Sequence, residues 1–343
     1  MLKWFAIAAL VVLTGLIPVI TQHPYYLHVF ITIAVFTIVS LGVRLVLIIG
    51  QWTFGQAAFM TIGSYASAMF AGHLGWSFWA AMPVAGLIAA VAAALFGFPA
   101  LRLTGAYFAM VTLVLNIVIR QIILVTPDFT GGSMGMGVMV DIQPPDPIPL
   151  PFGGGTITFT DKTSYYYLIW LLGLAAVGIA YWIDRSPMGA VLRAVRQSEI
   201  LARSVGVDSA IYKLIAFVIA CFFAGIAGSF YAHYLILAHP NAFSLWDSIY
   251  AVAYVVIGGT STALGPILGT VLLIGGFELL REASAYQTVG YALILLLVTR
   301  FLPGGLISLG PMSADFFSGQ RRGTPDHERD TSPLSGLRSY LRR

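Results

Sequence analysis

Several windows of about 20 residues in this chain carry no Asp, Glu, Lys or Arg, the stretch from 77 to 99 among them. A helix of that length crosses a hydrocarbon core of roughly 30 Å and pairs its backbone groups internally, as lipid demands. Composition agrees: 58% of the 343 residues are hydrophobic and 9% charged, against roughly a quarter charged in a soluble domain. The expected fold class is an all-α polytopic membrane protein.

Ten segments fit this description, at 4–22, 26–48, 54–72, 77–99, 105–126, 164–183, 213–236, 248–261, 264–281 and 285–302. The expected count is about ten spans, within a range of eight to ten. Two stand apart. The third is rich in Gly, Ala and Ser, and the eighth is short and followed by "GGTSTALGP"; both are candidates for broken or re-entrant elements lined by protein rather than lipid. The opening "MLKWFAIAALVVLTGLIPVITQ" resembles a signal peptide, but its apolar run is too long and no A-x-A-like site follows, so an uncleaved first span is expected.

Charge orients the spans. With Lys3 inside, ten crossings place Arg44, Arg102, Arg185 to Lys213, Arg300 and the C-terminal tail on the inner side. The outer side receives Asp128, Asp141, Asp146 and Asp161 against Lys162 alone, as the positive-inside rule requires. Arg120 and Arg281 are the exceptions. The expected arrangement is a membrane domain over 1–302, with an outer loop at 127–163 and an inner helical region at 185–212, followed by a polar tail at 303–343 of disordered composition. The Gly- and Pro-rich outer loop favours turns or short hairpins.

Several function classes lack their residues. A P-loop needs a lysine after glycine, and Lys3, Lys162 and Lys213 all lack one. No H-E-x-x-H or G-x-S-x-G is present and no close His/Asp cluster occurs, so neither a catalytic constellation nor a metal site is expected. The one cysteine, Cys221, excludes an intrachain disulfide. The basic residues form no patch suited to nucleic acid.

One charged stretch, "RSPMGAVLRAVRQSEILARSVGVD" at 185–208, interrupts the apolar chain. Ser186 and Pro187 form an N-cap and N1 pair and Gly206 suits a C-terminal cap, which predicts one helix or two short ones over about 187–205. Helical spacing puts Arg193, Arg196 and Arg203 on one face and Met188, Leu192, Val195, Ala202 and Val205 on another, interrupted by Glu199. Glu199 can pair with Arg203 four residues on. A carboxylate on an apolar face is better accommodated by a protein partner offering a donor than by lipid. The segments "FGQAAFMTIGSYASAMF" and "FAGIAGSFYAHYLILAH" also echo one another, both being small-residue helices of the kind that pack closely in membranes.

The stretch "LRAVRQSEILARSVGVD" with the following "YKLIAFVIACFFAGIAGSFYAHYL" resembles the cytoplasmic loop and next helix of LivM-type permease subunits of branched-chain amino acid ABC importers. "GQWTFGQAAFMTIGSYASA", "LRLTGAYFAMVTLVLNIVIRQI", "FTGGSMGM", "IGGTSTALGPILG" and "RFLPGGL" are similar to further motifs of the family, in its order, across residues 26–308. The resemblance implies a type II importer-like permease fold in the bacterial inner membrane with both termini cytoplasmic. It implies a second, LivH-like permease, two ATPase subunits that bind the ATP and Mg, and a periplasmic solute-binding protein. This chain would then be a transport subunit, not an enzyme, with no cofactor of its own. Glu199 and Gly206 match the loop by which such permeases engage the ATPase, so the implied coupling residues are Arg193, Arg196, Glu199, Ala202, Arg203 and Gly206.

Polar residues within spans are costly and mark function. Asn116 and Arg120, four apart, fall on one face of span five with Thr112; together with Gln51, Gln56 and Tyr107 of the family motifs they make the expected substrate pathway. Arg120 is more readily explained by a structural pairing than by substrate contact. Gly131, Gly132 and Asp247 are the expected docking residues for the binding protein, and His233 and His239 are expected to cap or pack at the outer end of span seven. Ile117, Arg44 and Gln56 stand where relatives commonly have Glu, Asn and His, which opens the cargo to urea, short amides or other amino acids besides leucine, isoleucine and valine. A stand-alone secondary transporter would be expected to use mid-span carboxylates, which this chain lacks.

Overall fold

The computed structural model describes residues 11–308, apart from 12, 22, 104, 140–141, 150–155, 160, 280–289, 291–295, 297–299 and 301–304. Residues 4–10, 12 and 22 of the expected first span, most of the expected last span, Lys3, Asp141, Arg281 and the tail beyond Ser308 lie outside the described residues. The chain divides into a unit Met1–Ile307, described here, and a second unit Ser308–Arg343.

Among the described residues, ten helices of six or more residues carry the fold. They are α1 (Pro24–Ile48), α2 (Gln56–Leu74), α3 (Phe78–Ala100), α4 (Ala106–Val125) and α5 (Lys162–Arg185), then α6 (Pro187–Gln197), α7 (Glu199–Ser204), α8 (Ser209–Leu235), α9 (Leu245–Gly258) and α10 (Leu264–Leu279). Among the described residues α1, α3, α4, α5 and α8 are long and apolar enough to cross a membrane. The sequence-based spans fall within a few residues of them.

Helix α1 is the central element: 83% of its most apolar window is buried, against 33% in α4 and α5, which show most of their surface to the surroundings. Around it pack α5, α8 and the α9–α10 hairpin. The two small-residue segments that echo one another in sequence meet here, because α2 crosses α8 at backbone distance. A Cβ added to Gly228 would lie 2.0 Å from the Met60 carbonyl oxygen, and one on Gly63 would lie 2.2 Å from that of Gly225. Only glycine admits such an approach, which supplies the dense contact that drives helix association where lipid is as apolar as the side chains.

The third expected span is indeed irregular at its start. After α1 the chain runs without helix from Gln51 to Gly55 before α2 begins, and Gln51, Thr53 and Gly55 are buried. Its polar backbone is thus enclosed in protein, the condition under which irregular structure is tolerated at membrane depth. The eighth is a 14-residue helix, α9, and too short to span about 30 Å.

The loop joining α4 to α5 contains a two-residue antiparallel ladder, β1 (Ile148–Pro149) with β2 (Thr156–Ile157). It is tied to the end of α8: the Met136 amide donates to the Ala238 carbonyl at 2.8 Å, and a His233 ring nitrogen bonds the Gln143 carbonyl at 2.8 Å. Asp146 accepts from the Phe78 amide at 3.1 Å, at the first turn of α3. Helices α6 and α7 lie at the opposite end of the bundle, between the close of α5 and the start of α8.

Candidate functional site

The charged stretch folds as two helices because Ser198 leaves the helical conformation, with φ −160° and ψ 110°. Ser186 caps α6 by accepting from the Gly189 amide, Pro187 occupies its first turn, and Ser198 caps α7 by accepting from the Leu201 amide. Gly206, at φ +85°, closes α7 with a pair of bonds, Gly206 amide to Arg203 carbonyl and Val207 amide to Ala202 carbonyl, both 3.0 Å. This is the Schellman arrangement, which needs a left-handed residue after the helix.

The apolar face packs as spacing requires up to the break. Leu192, Val195 and Ala202 are buried in a cluster with Leu45, Ile48, Ile49, Ile183 and Ala216, each large aliphatic contributing roughly 1.5–3 kcal/mol of burial. Val205 departs from the expectation: it is 76% exposed. The kink at Ser198 resets the helical phase, so a periodicity carried through from Met188 assigns it to the wrong face. Ile200 and Leu201 are exposed beside it, at 81% and 68%.

The carboxylate of Glu199 needs no outside donor, which corrects the expectation that a partner would supply one. It accepts from Lys213 Nζ at 2.7 Å, Ser209 Oγ at 2.7 Å and Arg203 Nη2 at 2.8 Å. Ser209 Oγ in turn accepts from Arg203 Nε at 2.9 Å. Glu199 therefore fastens α7 to the first turn of α8. The hydrogen bond from Lys213 is the main reason its carboxyl is held below the ordinary carboxylate value; burial opposes the shift, and Ser209 and Arg203 add to it. Arg193 donates to the Asp184 carbonyl at 3.2 Å, and Arg196 is exposed on α6.

Of the interior residues, the structure brings four together around the 51–58 segment. Asn116 Oδ1 accepts from the Ala58 amide at 2.7 Å and its Nδ2 donates to the Phe54 carbonyl. Thr112 Oγ1 accepts from the Phe54 amide at 3.1 Å, and Ser248 Oγ of α9 accepts from the Ala57 amide at 2.8 Å. These side chains satisfy the orphan amides at the start of α2 and the bare backbone before it, a capping duty performed from neighbouring helices. Gln51 and Gln56 are buried in the same segment, and neither amide atom of Gln56 has a hydrogen-bonding partner among the described residues. Tyr107 and Arg120 lie apart from this group: Tyr107 is 69% exposed, and the exposed Arg120 donates to Asn241 Oδ1 at 2.8 Å.

At the other end, Gly131 and Gly132 adopt φ of +74° and +54° in consecutive turns after α4. Asp247 forms a capping box with Ser244, whose amide and hydroxyl it accepts at 2.6 and 2.8 Å. His233 packs as expected, 1% exposed and bonded to Ser67 Oγ at 2.9 Å, while His239 accepts from the Asn241 amide.

Sequence reasoning missed the partner of Arg44. Read as an inner-surface charge, it is 1% exposed and paired with Asp184 at 2.8 and 3.1 Å, with its Nε on the Thr260 carbonyl at 3.0 Å. The available signal was a charge within an otherwise unbroken apolar run, which calls for an opposite charge at the same depth.

A family model described as the permease component of branched-chain amino acid transport systems matches residues 25–302. The permease protein LivM of a high-affinity branched-chain amino acid transport system in Salmonella typhimurium is 32% identical over 306 residues, which cover 84% of this chain and 71% of the relative. LivM of Escherichia coli K12 is 32% identical over 292 residues, 80% of this chain and 68% of the relative. The ribose import permease RbsC of the same organism is 30% identical over 138 residues, 38% of this chain and 43% of the relative. No solved structure matches significantly. The resemblance read from the motifs is borne out, and together with five helices of membrane-spanning length it makes this chain an integral inner-membrane protein that belongs to the permease-component family of branched-chain amino acid transport systems.

Proposed function

We propose that this permease imports branched-chain amino acids, or a related small polar solute, as the membrane subunit of an ATP-driven transporter. The relatives that cover most of the chain carry the cargo class in their names. In this reading the chain crosses the membrane about ten times in a type II importer-like arrangement with cytoplasmic termini. It pairs with a second, LivH-like permease, and two ATPase subunits supply the ATP and Mg chemistry. A periplasmic binding protein delivers cargo to the end bearing Gly131, Gly132 and Asp247.

The observation that carries the reading is α7: a six-residue helix that shows Ile200, Leu201 and Val205 outward while Glu199 ties it to α8. Exposed apolar residues on a rigid element at one end of a bundle suit insertion into a partner. Movement of that partner would then be passed to α8 and shift the balance between inward- and outward-open states. Arg193, Arg196, Ala202, Arg203 and Gly206 shape and hold the element. Thr112 and Asn116 hold the 51–58 segment whose Gln51 and Gln56 would meet cargo, with Tyr107 and Arg120 on the surface turned to the second permease.

The test is leucine uptake into proteoliposomes holding the assembled transporter, with Ile200→Asp and Leu201→Asp in α7. ATP-dependent uptake lost in both variants, with the complex still inserted, is the expected result. Uptake at the wild-type rate in the variants, or uptake by this chain alone under an ion gradient, would sink the reading.

A further inference from the structure

A groove of about 630 Å³ lies between the end of α3 and the start of α8, closed at one side by α7. Its wall is apolar, formed by Phe98, Leu101, Ile211 and Leu214, and its rim is cationic. Arg102, Arg203 and Lys213 line it against one carboxylate, Glu199. Phe98 and Ile211 are 65% and 53% exposed, so the described residues leave this part of the apolar wall uncovered.

We propose that this groove binds an anionic phospholipid, its phosphate between Arg102 and Arg203 and an acyl chain along Phe98, Ile211 and Leu214. The two walls belong to membrane-crossing helices at the level where both emerge, so the apolar part of the groove faces acyl chains and the charged rim faces headgroups. Glu199, held by Lys213, Ser209 and Arg203, offsets one of the three cations, so the rim keeps a net positive charge. Arg203 commits Nε to Ser209 and Nη2 to Glu199, which leaves Nη1 for an outside acceptor. Arg102 makes no hydrogen bond or ion pair to the described residues; its guanidinium lies 5.5 Å from the centroid of the Phe98 ring, the stem lying on the apolar wall and the charge at the rim. The amides that open α8 are not available to the lipid, since Asp208 accepts from those of Ala210 and Ile211. Recognition is by guanidinium, which favours a phosphodiester headgroup of net negative charge over one whose phosphate is offset by its own cation. Basic pockets between membrane helices bind anionic headgroups in this way. The site stands on the groove and on membrane insertion, and not on the transport reading.

Native mass spectrometry of the full-length chain, purified with the subunits it assembles with, tests the site using dioleoyl phosphatidylglycerol and dioleoyl phosphatidylcholine as probes. The expected result is preferential retention of phosphatidylglycerol, reduced about fivefold by Arg102→Ala, the effect of one basic side chain near an anionic headgroup, and kept by Arg102→Lys. Equal retention of both lipids would overturn the proposal, as would an Arg102→Ala variant that is folded and binds phosphatidylglycerol like the wild type. Displacement by millimolar inorganic phosphate would make the rim a free-anion site and overturn the lipid assignment. Retention by the lone chain that disappears in the assembled complex would give the groove to a partner subunit instead. Arg102→Ala lies outside the α7 docking surface, and Leu201 does not line the groove, so uptake lost in Leu201→Asp with lipid retention unchanged separates the two readings.

Discussion

Arg44 and Asp184, 140 residues apart, form a two-point ion pair at 2.8 and 3.1 Å with the arginine 1% exposed. The same guanidinium reaches the Thr260 carbonyl just after α9, and Asp184 sits two residues before the cap of α6. One side chain thus joins α1, the root of the α6–α7 pair and the α9–α10 turn.

Removal of Asp184 alone strands a buried guanidinium, and Asp184→Ala is expected to destabilise the protein by about 3 kcal/mol. The double variant Arg44→Met with Asp184→Leu should recover most of that loss, because both desolvation costs vanish together. Thermal unfolding of the three proteins in detergent checks this. Equal loss in the single and double variants would show that the pair does not act as a unit.

The Glu199 brace is sensitive to acid. Its folded pKa lies below the ordinary value of 4.5, so the stabilisation is fully present above that value and is lost as pH falls through the depressed folded pKa. Amide exchange across 198–207 should stay slow at pH 7 and rise in the wild type only below the ordinary carboxylate range. Glu199→Gln should exchange fast at every pH. Protection in Glu199→Gln equal to the wild type at neutral pH would remove the brace.

Asn116 satisfies two backbone groups in an enclosed segment. Asn116→Ala takes the side-chain donor from the Phe54 carbonyl and leaves the Ala58 amide only its 3.1 Å bond to the Gly55 carbonyl, a cost of about 1–3 kcal/mol. The expected signature is lower thermal stability with cargo selectivity unchanged. Altered selectivity at unchanged stability would make Asn116 a cargo contact rather than a support for the 51–58 backbone.

Gly228 and Gly178 differ only in surroundings. Alanine at 228 puts a methyl 2.0 Å from the Met60 carbonyl oxygen, whereas at 178 nothing lies within 4 Å. Gly228→Ala should cost about 1–3 kcal/mol as α2 and α8 are forced apart, and Gly178→Ala should be neutral or slightly stabilising through helix propensity. Melting temperatures of the pair check the contrast; similar values would refute the close crossing.

What the amino-acid sequence determined by itself is local or periodic. Uncharged runs located the helices because lipid leaves no other solution for the backbone. Ser186, Pro187 and Gly206 marked the bounds of α6 and α7 because capping uses groups within a few residues. Small residues on α2 and α8 announced two tightly packed helices. The tertiary structure decided everything that depends on which distant groups meet. The kink at Ser198 turned Val205 outward, and a turn brought Lys213 and Ser209, fourteen and ten residues on, to Glu199. Arg44 found Asp184 across the bundle, and Thr112, Asn116 and Ser248 were spent on the backbone of the 51–58 segment. A buried polar group must find a partner, but sequence states only that obligation; the packing of the helices chooses who fulfils it.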